Sequence, residues 1–275
     1  MALTYENTSK FAEPNGVKIH YHEAGAGPAL IMVSGTGAGA SAWGLNKYNI
    51  EYLSKSFRVI LYNPPPVGES DKTISYEGPV NDFYAKLLLS FMDTLGIDKA
   101  HLYGGSPGSS QVIRFAVDYP DRVNKLIFQC PPGLGRSMFT PFPWEGARLT
   151  GIAGRDPSYE NVVAQMESMV PRADRRTEEL IMDRYNAAND KEANEARKRI
   201  TGPREDLVVE LPNITQSTLV IFGVNERDVP LDMGLKMASV IPNARFHIYG
   251  DGTGHFPNIE KVDEFNRLVT DFLLY

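Results

Sequence analysis

The chain has 275 residues, with 28 Lys and Arg, 34 Asp and Glu, a net charge of −6 and 42% hydrophobic residues. This is a globular composition, which excludes a disordered, collagen-like or coiled-coil chain, and without a basic strip nucleic-acid binding is disfavoured. A single cysteine, Cys130, cannot form an internal disulfide, and the first ten residues lack the apolar core of a signal peptide. Because no apolar run approaches the roughly 20 residues of a bilayer span, we expect a cytoplasmic protein without a membrane partner.

Short runs of β-branched and apolar residues alternate along the chain with longer helical patterns. The strands are predicted at residues 17–23, 29–33, 58–62, 100–103, 125–128, 218–222 and 245–249. Several of these runs are wholly apolar, as expected of strands that are buried on both faces. The alternation predicts an α/β fold, with a mostly parallel central sheet that carries helices on both faces.

One long segment interrupts this alternation. Residues 80–95 and 262–274 show the apolar spacing of helices with one buried face, whereas residues 137–207 contain no clear strand, many charges and several helical runs. Gly and Pro residues crowd both ends of that segment, as in hinge-like connections. We therefore predict one α/β core, formed by residues 1–136 and 208–275, with a helical insertion at 137–207.

A candidate nucleophile follows the strand predicted at 100–103. The sequence there reads Gly-Gly-Ser-Pro-Gly at residues 104–108 and continues into a helical pattern. A Gly-x-Ser-x-Gly motif between a strand and a helix is typical of a nucleophilic serine on a sharp turn, where the flanking residues must be small. The alternative interpretation is a Gly-rich turn without chemistry. The placement favours Ser106 as a nucleophile.

A serine nucleophile needs a histidine base and an acid that holds the tautomer of that histidine. In this architecture the chain order is serine, acid, histidine. His255 follows the strand predicted at 245–249 through a Gly-rich loop and is the candidate base. The other histidines are less suitable because they lie within predicted strands: His20, His22, His101 and His247. The loop after 218–222 offers two carboxylates, Glu226 and Asp228, between which composition does not choose.

Several long segments are similar to a known family. They are TSKFAEPNGVKIHYHEAG near the start, SGTGAGASAW after the second predicted strand, PPGLGRSMFTPFPWEG at the start of the insertion, VPLDMGLK after the acid loop and DEFNRLVTDFL at the end. With the serine motif, they resemble the α/β-hydrolase-fold enzymes that hydrolyse meta-cleavage products of catechols, cutting a carbon–carbon bond in a vinylogous diketone. The resemblance implies an α/β-hydrolase core with a helical lid, no cofactor, no metal and a Ser-His-Asp triad.

Carried over position by position, the resemblance places the nucleophile on Ser106, the base on His255 and the acid on Glu226, with Asp228 as the reserve candidate. Arg184 matches the lid arginine that binds the substrate carboxylate in the family, with a solvated helix charge as the alternative interpretation. The oxyanion is expected on the loop of Gly35, Thr36 and Gly37. Further substrate contacts are expected at Ser34, Gly105, Pro107, Trp144 and Phe256. Apolar lid residues around Met138, Phe139, Phe142 and Trp144 would enclose an aromatic or alkyl tail.

The sequence also departs from the family pattern. Ser34 stands where a histidine is usual, Gly105 where an asparagine is usual, Phe256 where a tryptophan is usual, and Asn63 where an acidic residue is expected. The sharpest departure is Pro107, because the backbone N–H of the residue after the nucleophile is one of two oxyanion donors in this fold and proline has no N–H. Proline also suits the first position of a helix. Pro107 can therefore start the helix and remove an oxyanion donor at the same time.

Three functional hypotheses follow. The first is a cofactor-independent serine hydrolase that cleaves a C–C bond next to a ketone, or a related ester-like bond, in a small aromatic-derived substrate. The second is a non-hydrolytic lyase, isomerase or cyclase that uses His255 as acid and base and tolerates the missing donor at Pro107. The third is a ligand-binding protein on a hydrolase scaffold. Family members are often oligomeric, so a homo-oligomer is a further expectation.

Overall fold

The computed structural model describes residues 2–137, 139, 144–203 and 206–275. Its strands are β1 (Ser9–Ala12), β2 (Ile19–Ala24), β3 (Ala29–Val33), β4 (Arg58–Tyr62), β5 (Tyr76–Glu77), β6 (Ala100–Gly105), β7 (Val123–Gln129), β8 (Ile200–Thr201), β9 (Thr218–Gly223) and β10 (Ala244–Tyr249). Its α-helices are α1 (Tyr5–Thr8), α2 (Ala42–Leu53), α3 (Val80–Thr94), α4 (Gly108–Asp118), α5 (Glu145–Arg155), α6 (Tyr159–Met169), α7 (Glu178–Ala188), α8 (Lys191–Arg197), α9 (Asp232–Val240), α10 (Pro257–Glu260) and α11 (Val262–Leu274). Short 3₁₀ helices lie at Pro14–Gly16, Pro120–Arg122 and Leu207–Asn213.

A mostly parallel sheet forms the centre of the described structure. Its eight strands lie in the order β1-β2-β4-β3-β6-β7-β9-β10. The pairs β1 with β2 and β2 with β4 are antiparallel, and every pair from β4 to β10 is parallel. The predicted α/β class is therefore confirmed. Because parallel strands end at the same edge, the loops that follow them meet there, which is where such sheets bind ligands.

Alternating apolar side chains of the strands pack against helices on both faces. In β3, Ile31 and Val33 belong to one core cluster, together with buried residues of α3 and α4. Leu30 and Met32 belong to the other, together with residues of α2 and α11. Burial on both faces explains why the central strands read as continuous apolar runs.

The structure differs from the predicted elements at several places. β2 begins at Ile19, two residues after the predicted start, and β1 precedes it although no strand was predicted there. β1 is an edge strand in which only Ala12 is buried, so its four residues carry little periodic signal. β8 lies inside the insertion that was predicted to hold no strand, and it pairs with β5. A strand of two residues is too short to produce an alternating pattern.

The helices α5 to α8 occupy the predicted insertion, whose limits at 137 and 207 remain a prediction. Side-chain caps begin three of these helices: Ser158 accepts from Asn161 N–H at α6, Thr177 from Leu180 N–H at α7 and Asp190 from Ala193 N–H at α8. Apolar residues of α6 and α7 form a small core with Phe256 and Ile259. The insertion is therefore packed directly against the segment that follows β10.

None of the helices in the described ranges has both the length and the apolar character needed to cross a membrane.

A cluster of histidine and aromatic rings lies beside β2, where His22 pairs with Leu61 near the end of β4. The ring of His22 is 4.6 Å from that of Tyr5 and 4.8 Å from that of Trp43, measured between centroids. Its Nδ1 is 2.9 Å from the Thr8 hydroxyl, and its buried Nε2 has no hydrogen-bond partner among the described residues. Burial and the neighbouring His20 lower the pKa of His22 to about 4, and burial also lowers the pKa of His20.

This cluster predicts a loss of stability in mild acid. Between about pH 6.5 and pH 4 the unfolded chain protonates His22 while the folded protein does not, so the free energy of unfolding falls as the pH is lowered. One such histidine contributes at most about 1.4 kcal/mol per pH unit. We expect urea unfolding at pH 7.5, 6.5 and 5.5 to show this loss, and His22→Gln to reduce its slope. An equal slope in the variant and the wild type would contradict the assignment.

Candidate active site

The loops after three parallel strands bring a serine, a histidine and an acid together. Ser106 directly follows β6, Glu226 lies in the loop after β9, and His255 lies in the loop after β10. The Ser106 Oγ is 2.8 Å from His255 Nε2, and His255 Nδ1 is 2.6 Å from the Glu226 Oε2. These contacts form a continuous serine, histidine and carboxylate chain. They also choose between the two candidate acids, because Glu226 and not Asp228 contacts the histidine.

A sharp turn presents the Ser106 hydroxyl. The φ angle of Ser106 is 50°, and its N–H donates to the Gln129 carbonyl at 2.8 Å. A Cβ atom on Gly104 would lie 2.6 Å from Ser109 Cα, and one on Gly108 would lie 2.3 Å from the Val33 carbonyl oxygen. Both contacts are prohibitively short, so Gly104 allows β6 and α4 to approach closely at the turn, and Gly108 allows the start of α4 to pack against the end of β3.

Glu226 is held as the carboxylate partner of His255. Its side chain is 1% exposed, and its Oε1 accepts the N–H groups of Asp228 at 2.6 Å and Val229 at 3.1 Å. Burial acts to raise the pKa of Glu226, but the charge and hydrogen bond of His255 hold that pKa below its usual value. Burial acts to lower the pKa of His255, yet Glu226 raises it above its usual value. The pair therefore favours a charged acid that supports a protonated histidine.

The backbone around His255 is fixed by the core and by the lid. The His255 N–H donates to the Met169 carbonyl at the end of α6 at 2.8 Å, and its carbonyl accepts from the Gln129 side chain at 3.3 Å. Next to it, Gly254 N–H donates to Glu260 Oε1 at 2.8 Å. Burial raises the pKa of Glu260 to about 7. The candidate base is therefore anchored to elements on both sides.

One group of potential metal ligands lies at the same place. Among the described residues, the ligand atoms of Cys130, Glu226 and His255 all lie within 4.8 Å of one another. Burial raises the pKa of the Cys130 thiol well above its usual value, which disfavours the thiolate that binds metals. Because Glu226 and His255 already share a hydrogen bond, an ion at this point would have to replace that contact. Glu226 and His255 therefore fit a triad with Ser106 better than a metal site with Cys130.

A cavity of about 320 Å³ opens onto Ser106 and His255. Its wall is largely apolar, and the lining residues besides that pair are Gly35, Gly37, Ala38, Ala40, Leu45, Gly105, Pro107, Pro132, Trp144, Ala147, Thr150, Gly154, Met169, Arg184, Asp228, Val229 and Phe256. Three polar side chains interrupt this wall: Thr150, Arg184 and Asp228. A small apolar cavity with a few polar groups is typical of a small-molecule site.

A chain of hydrogen bonds crosses this cavity wall through three lid helices. Asp228 Oδ1 accepts from the Thr150 hydroxyl of α5 at 2.6 Å, and Thr150 accepts from Gln165 of α6 at 3.1 Å. Gln165 accepts from Arg184 Nε of α7 at 3.3 Å, and Arg184 Nη1 donates to the Gly39 carbonyl at 3.2 Å. Burial lowers the pKa of Arg184 to about 10, so the guanidinium stays charged at neutral pH. Arg184 is thus held in place rather than solvated.

The loop predicted to bind the oxyanion lies against the serine turn. Gly35 and Gly37 line the cavity, while Thr36 does not, and the Thr36 carbonyl accepts from Arg197 Nε at 2.7 Å. Among the described residues, the backbone N–H groups of Gly35, Thr36 and Gly37 donate to no backbone carbonyl. A Cβ atom on Gly35 would lie 2.9 Å from Pro107 Cβ, so the proline ring packs directly on this loop.

The remaining predicted contacts divide into two groups. Gly105, Pro107, Trp144, Arg184 and Phe256 line the cavity. Ser34 does not, because it is buried with its hydroxyl directed at the Tyr62 carbonyl, 3.4 Å away. Phe139 is 76% exposed, and the predicted tail contacts Met138 and Phe142 lie outside the described residues.

Sequence reasoning missed several residues that support the site: Cys130, Thr150, Gln165 and Gln129. Thr150 and Gln165 are polar residues on amphipathic helices, and nothing in their spacing distinguishes them from solvent-facing positions. Asn63 also has a structural role, since its side chain accepts from Ala42 N–H at 3.0 Å and contacts His20 Nδ1 at 2.9 Å. Only the folded arrangement of helices and loops brings such residues together.

Comparison with known proteins agrees with the fold. The family model of the alpha/beta hydrolase fold matches residues 28–262. The chain is 38% identical to a 2-hydroxy-6-oxo-6-phenylhexa-2,4-dienoate hydrolase of Comamonas testosteroni, over 98% of each chain. It is 36% identical to a 2-hydroxy-6-oxononadienedioate/2-hydroxy-6-oxononatrienedioate hydrolase of Paraburkholderia phymatum, over 94% of this chain and 91% of that protein. It also superimposes on a mutant meta-cleavage product hydrolase of Pseudomonas fluorescens complexed with acetates, with a TM-score of 0.80, 28% identity and 96% of both chains covered.

The chain belongs to the meta-cleavage product hydrolases of the α/β-hydrolase family. The family resemblance predicted from the sequence is confirmed, and so is the hydrolase class. The roles of individual residues in this hydrolase rest on the geometry described above and remain proposals.

The contacts of this hydrolase predict different effects for the two acidic residues of the loop. Glu226→Gln removes the charge that supports His255 and should lower the rate of Ser106 labelling by a fluorophosphonate by about 10³- to 10⁴-fold. Asp228→Asn makes the matched change two residues away and should lower that rate by less than about tenfold, because Asp228 does not contact His255. Mass spectrometry of the labelled serine measures both rates. The reverse order of effects would make Asp228 the triad acid.

Proposed function

We propose that this enzyme hydrolyses the carbon–carbon bond next to the ketone of 2-hydroxy-6-oxo-dienoates, with Ser106 as nucleophile, His255 as base and Glu226 as the acid that orients the histidine. We further propose that residues 137–207 act as the lid and that the enzyme assembles as a homo-oligomer. The observation that carries this proposal is the hydrogen-bonded chain from Ser106 through His255 to Glu226 beside the apolar cavity.

The cavity suits a small aromatic-derived acid. The guanidinium of Arg184 is the charged partner for the dienoate carboxylate, and its hydrogen bonds to Gln165 and Gly39 fix its position. Trp144, Phe256 and other apolar residues of the wall surround the rest of the substrate. The names of the relatives support this class, since they describe dienoates with a ketone at the sixth carbon.

The geometry supports a two-stage reaction. Ser106 Oγ attacks the ketone carbon and passes its proton to His255 Nε2, which Glu226 stabilises in the charged form. The carbon–carbon bond then breaks, its electron pair goes to the dienoate carbon, and that carbon takes the proton from His255. Water, activated by His255, hydrolyses the acyl group from Ser106 and releases a carboxylic acid. A water molecule activated directly by His255 gives the same products without the acyl intermediate.

The direct test is turnover of the purified protein. We expect the wild type to consume 2-hydroxy-6-oxo-6-phenylhexa-2,4-dienoate. The reaction is monitored by the loss of the absorbance of the conjugated dienoate and by the appearance of benzoate. Ser106→Ala should lower kcat by about 10³-fold or more while the substrate still binds, because its hydroxyl is the attacking group. Ser110→Ala, a serine of α4 outside this cavity, is the matched control. Turnover by Ser106→Ala at the wild-type rate would overturn the proposed mechanism.

A second candidate function has one observation in its favour. Pro107 follows the nucleophile and lacks the N–H that would complete the oxyanion site, and its ring packs against Gly35. A lyase, isomerase or cyclase reaction that moves protons through His255 does not need that donor. In the hydrolytic proposal, the backbone N–H groups of Gly35, Thr36 and Gly37 stabilise the negative charge instead.

Restoring the missing donor distinguishes the two candidates. Pro107 has φ −59° and ψ −20°, which alanine adopts without strain, so Pro107→Ala adds an N–H while it removes the ring that packs on Gly35. If hydrolysis is limited by the oxyanion site, kcat should rise by about 10- to 100-fold. Pro132→Ala, which changes another proline of the cavity wall, is the control. An unchanged or lower kcat in Pro107→Ala would favour the non-hydrolytic reaction.

A further inference from the structure

Two opposite charges face the same cavity. Arg184 lies on α7, and Asp228 lies in the loop that carries Glu226. Among the described residues, Asp228 Oδ1 accepts from Thr150, and its buried Oδ2 has no hydrogen-bond partner. Burial raises the pKa of Asp228 above its usual value, and the charge of Arg184 acts against that rise. The wall of the active-site cavity therefore carries one basic and one acidic group.

Asp228 is fixed in this wall by contacts of its backbone and of its side chain. Its backbone N–H donates to Glu226 Oε1 at 2.6 Å, which ties the position of Asp228 to that of the proposed triad acid. Helix α5 covers the carboxylate: Thr150 donates to it, and a Cβ atom on Gly146 would lie 2.6 Å from Oδ2. Gly146 also donates its N–H to the Arg227 carbonyl at 3.0 Å. The carboxylate cannot swing out to solvent while α5 occupies this position.

The charges of the wall limit the charges of the substrate. Among the described residues that line the cavity, Arg184 is the one lysine or arginine. It therefore matches one substrate carboxylate. Among the described residues, and apart from Ser106 and His255, a second carboxylate in the same cavity would have apolar side chains, Thr150 and Asp228 as its neighbours. In a cavity of low dielectric constant, the repulsion between two such negative charges is much stronger than in water.

We propose that Asp228 is a specificity-determining residue that restricts this hydrolase to dienoates with a single carboxylate and an uncharged acyl group, and that excludes dioates. This inference rests on the proposed function and deepens it. The two relatives show why the choice matters, because one name describes a 6-phenyl monoacid and the other a dioate. Cleavage of the first type releases benzoate, and cleavage of the second type releases a dicarboxylic acid.

The experiment compares kcat/KM for the 6-phenyl dienoate and for 2-hydroxy-6-oxononadienedioate. We expect the wild type to prefer the phenyl substrate, and Asp228→Asn to shift the ratio towards the dioate by about 10- to 30-fold, chiefly through a lower KM for the dioate. The asparagine side chain keeps an oxygen for the Thr150 hydroxyl. The melting temperature of the variant protein reports on any damage to the fold. A merely structural role would lower the activity on both substrates together.

A matched control removes a charge close by but outside the cavity. Glu145 begins α5, its side chain is 60% exposed, and it pairs with Arg227 at 3.5 Å. Glu145→Gln changes the net charge by the same amount as Asp228→Asn, yet solvent screens it. We expect its substrate ratio to stay within about twofold of the wild type. An equal shift in both variants would overturn the proposal, because net charge and not the cavity wall would then set the preference.

A binding measurement decides the inference independently of turnover. In this measurement benzoate and succinate are added as competitors of the fluorophosphonate that labels Ser106. Their inhibition constants are compared between the wild type and Asp228→Asn. We expect the variant to gain affinity for succinate over benzoate by about tenfold. If neither dienoate is turned over but this shift appears, the proposed function fails while the role of Asp228 stands. An unchanged ratio in the binding measurement overturns the role of Asp228, whatever the dienoates show.

Discussion

Ser106 has a backbone φ of 50°, a conformation that a residue with a side chain keeps only where its surroundings enforce it. β6 ends and α4 begins within the same few residues, and two glycines permit this geometry because a side chain on Gly104 would overlap the backbone of α4 and one on Gly108 the backbone of β3. The hydroxyl is thereby raised above the edge of the sheet. His255 contacts this hydroxyl directly, and the cavity opens onto it.

The acid loop shows how a glutamate occupies the position at which the family triad has an aspartate, whose side chain is one methylene shorter. Glu226 reaches His255 from the loop after β9, and two backbone N–H groups hold its second oxygen. One of these groups belongs to Asp228, so the same bond that fixes the acid also directs the next carboxylate into the cavity wall. Under the two proposals, catalysis and substrate recognition therefore both depend on this one short loop. A substitution at either acid would alter the environment of the other.

Much of the fold was predictable, because central strands buried on both faces carry a strong apolar signal. The limits of β3 and β4 agree with the prediction, and the serine motif and His255 follow from their positions after strands. The choice of Glu226 over Asp228 was not predictable from composition, since both carboxylates lie in the same loop and only side-chain geometry separates them. The polar chain through Gln165 joins three helices, and sequence spacing carries no information about such contacts.

The bond from the His255 N–H to the Met169 carbonyl ties the base to the helix that covers it. Gly254 adds to this link, since a Cβ atom there would lie 2.4 Å from Pro171 Cδ. Lifting the end of α6 would break this bond and loosen His255 at the moment that the cavity opened. Under the proposed function, access to the cavity and the readiness of the base therefore change together.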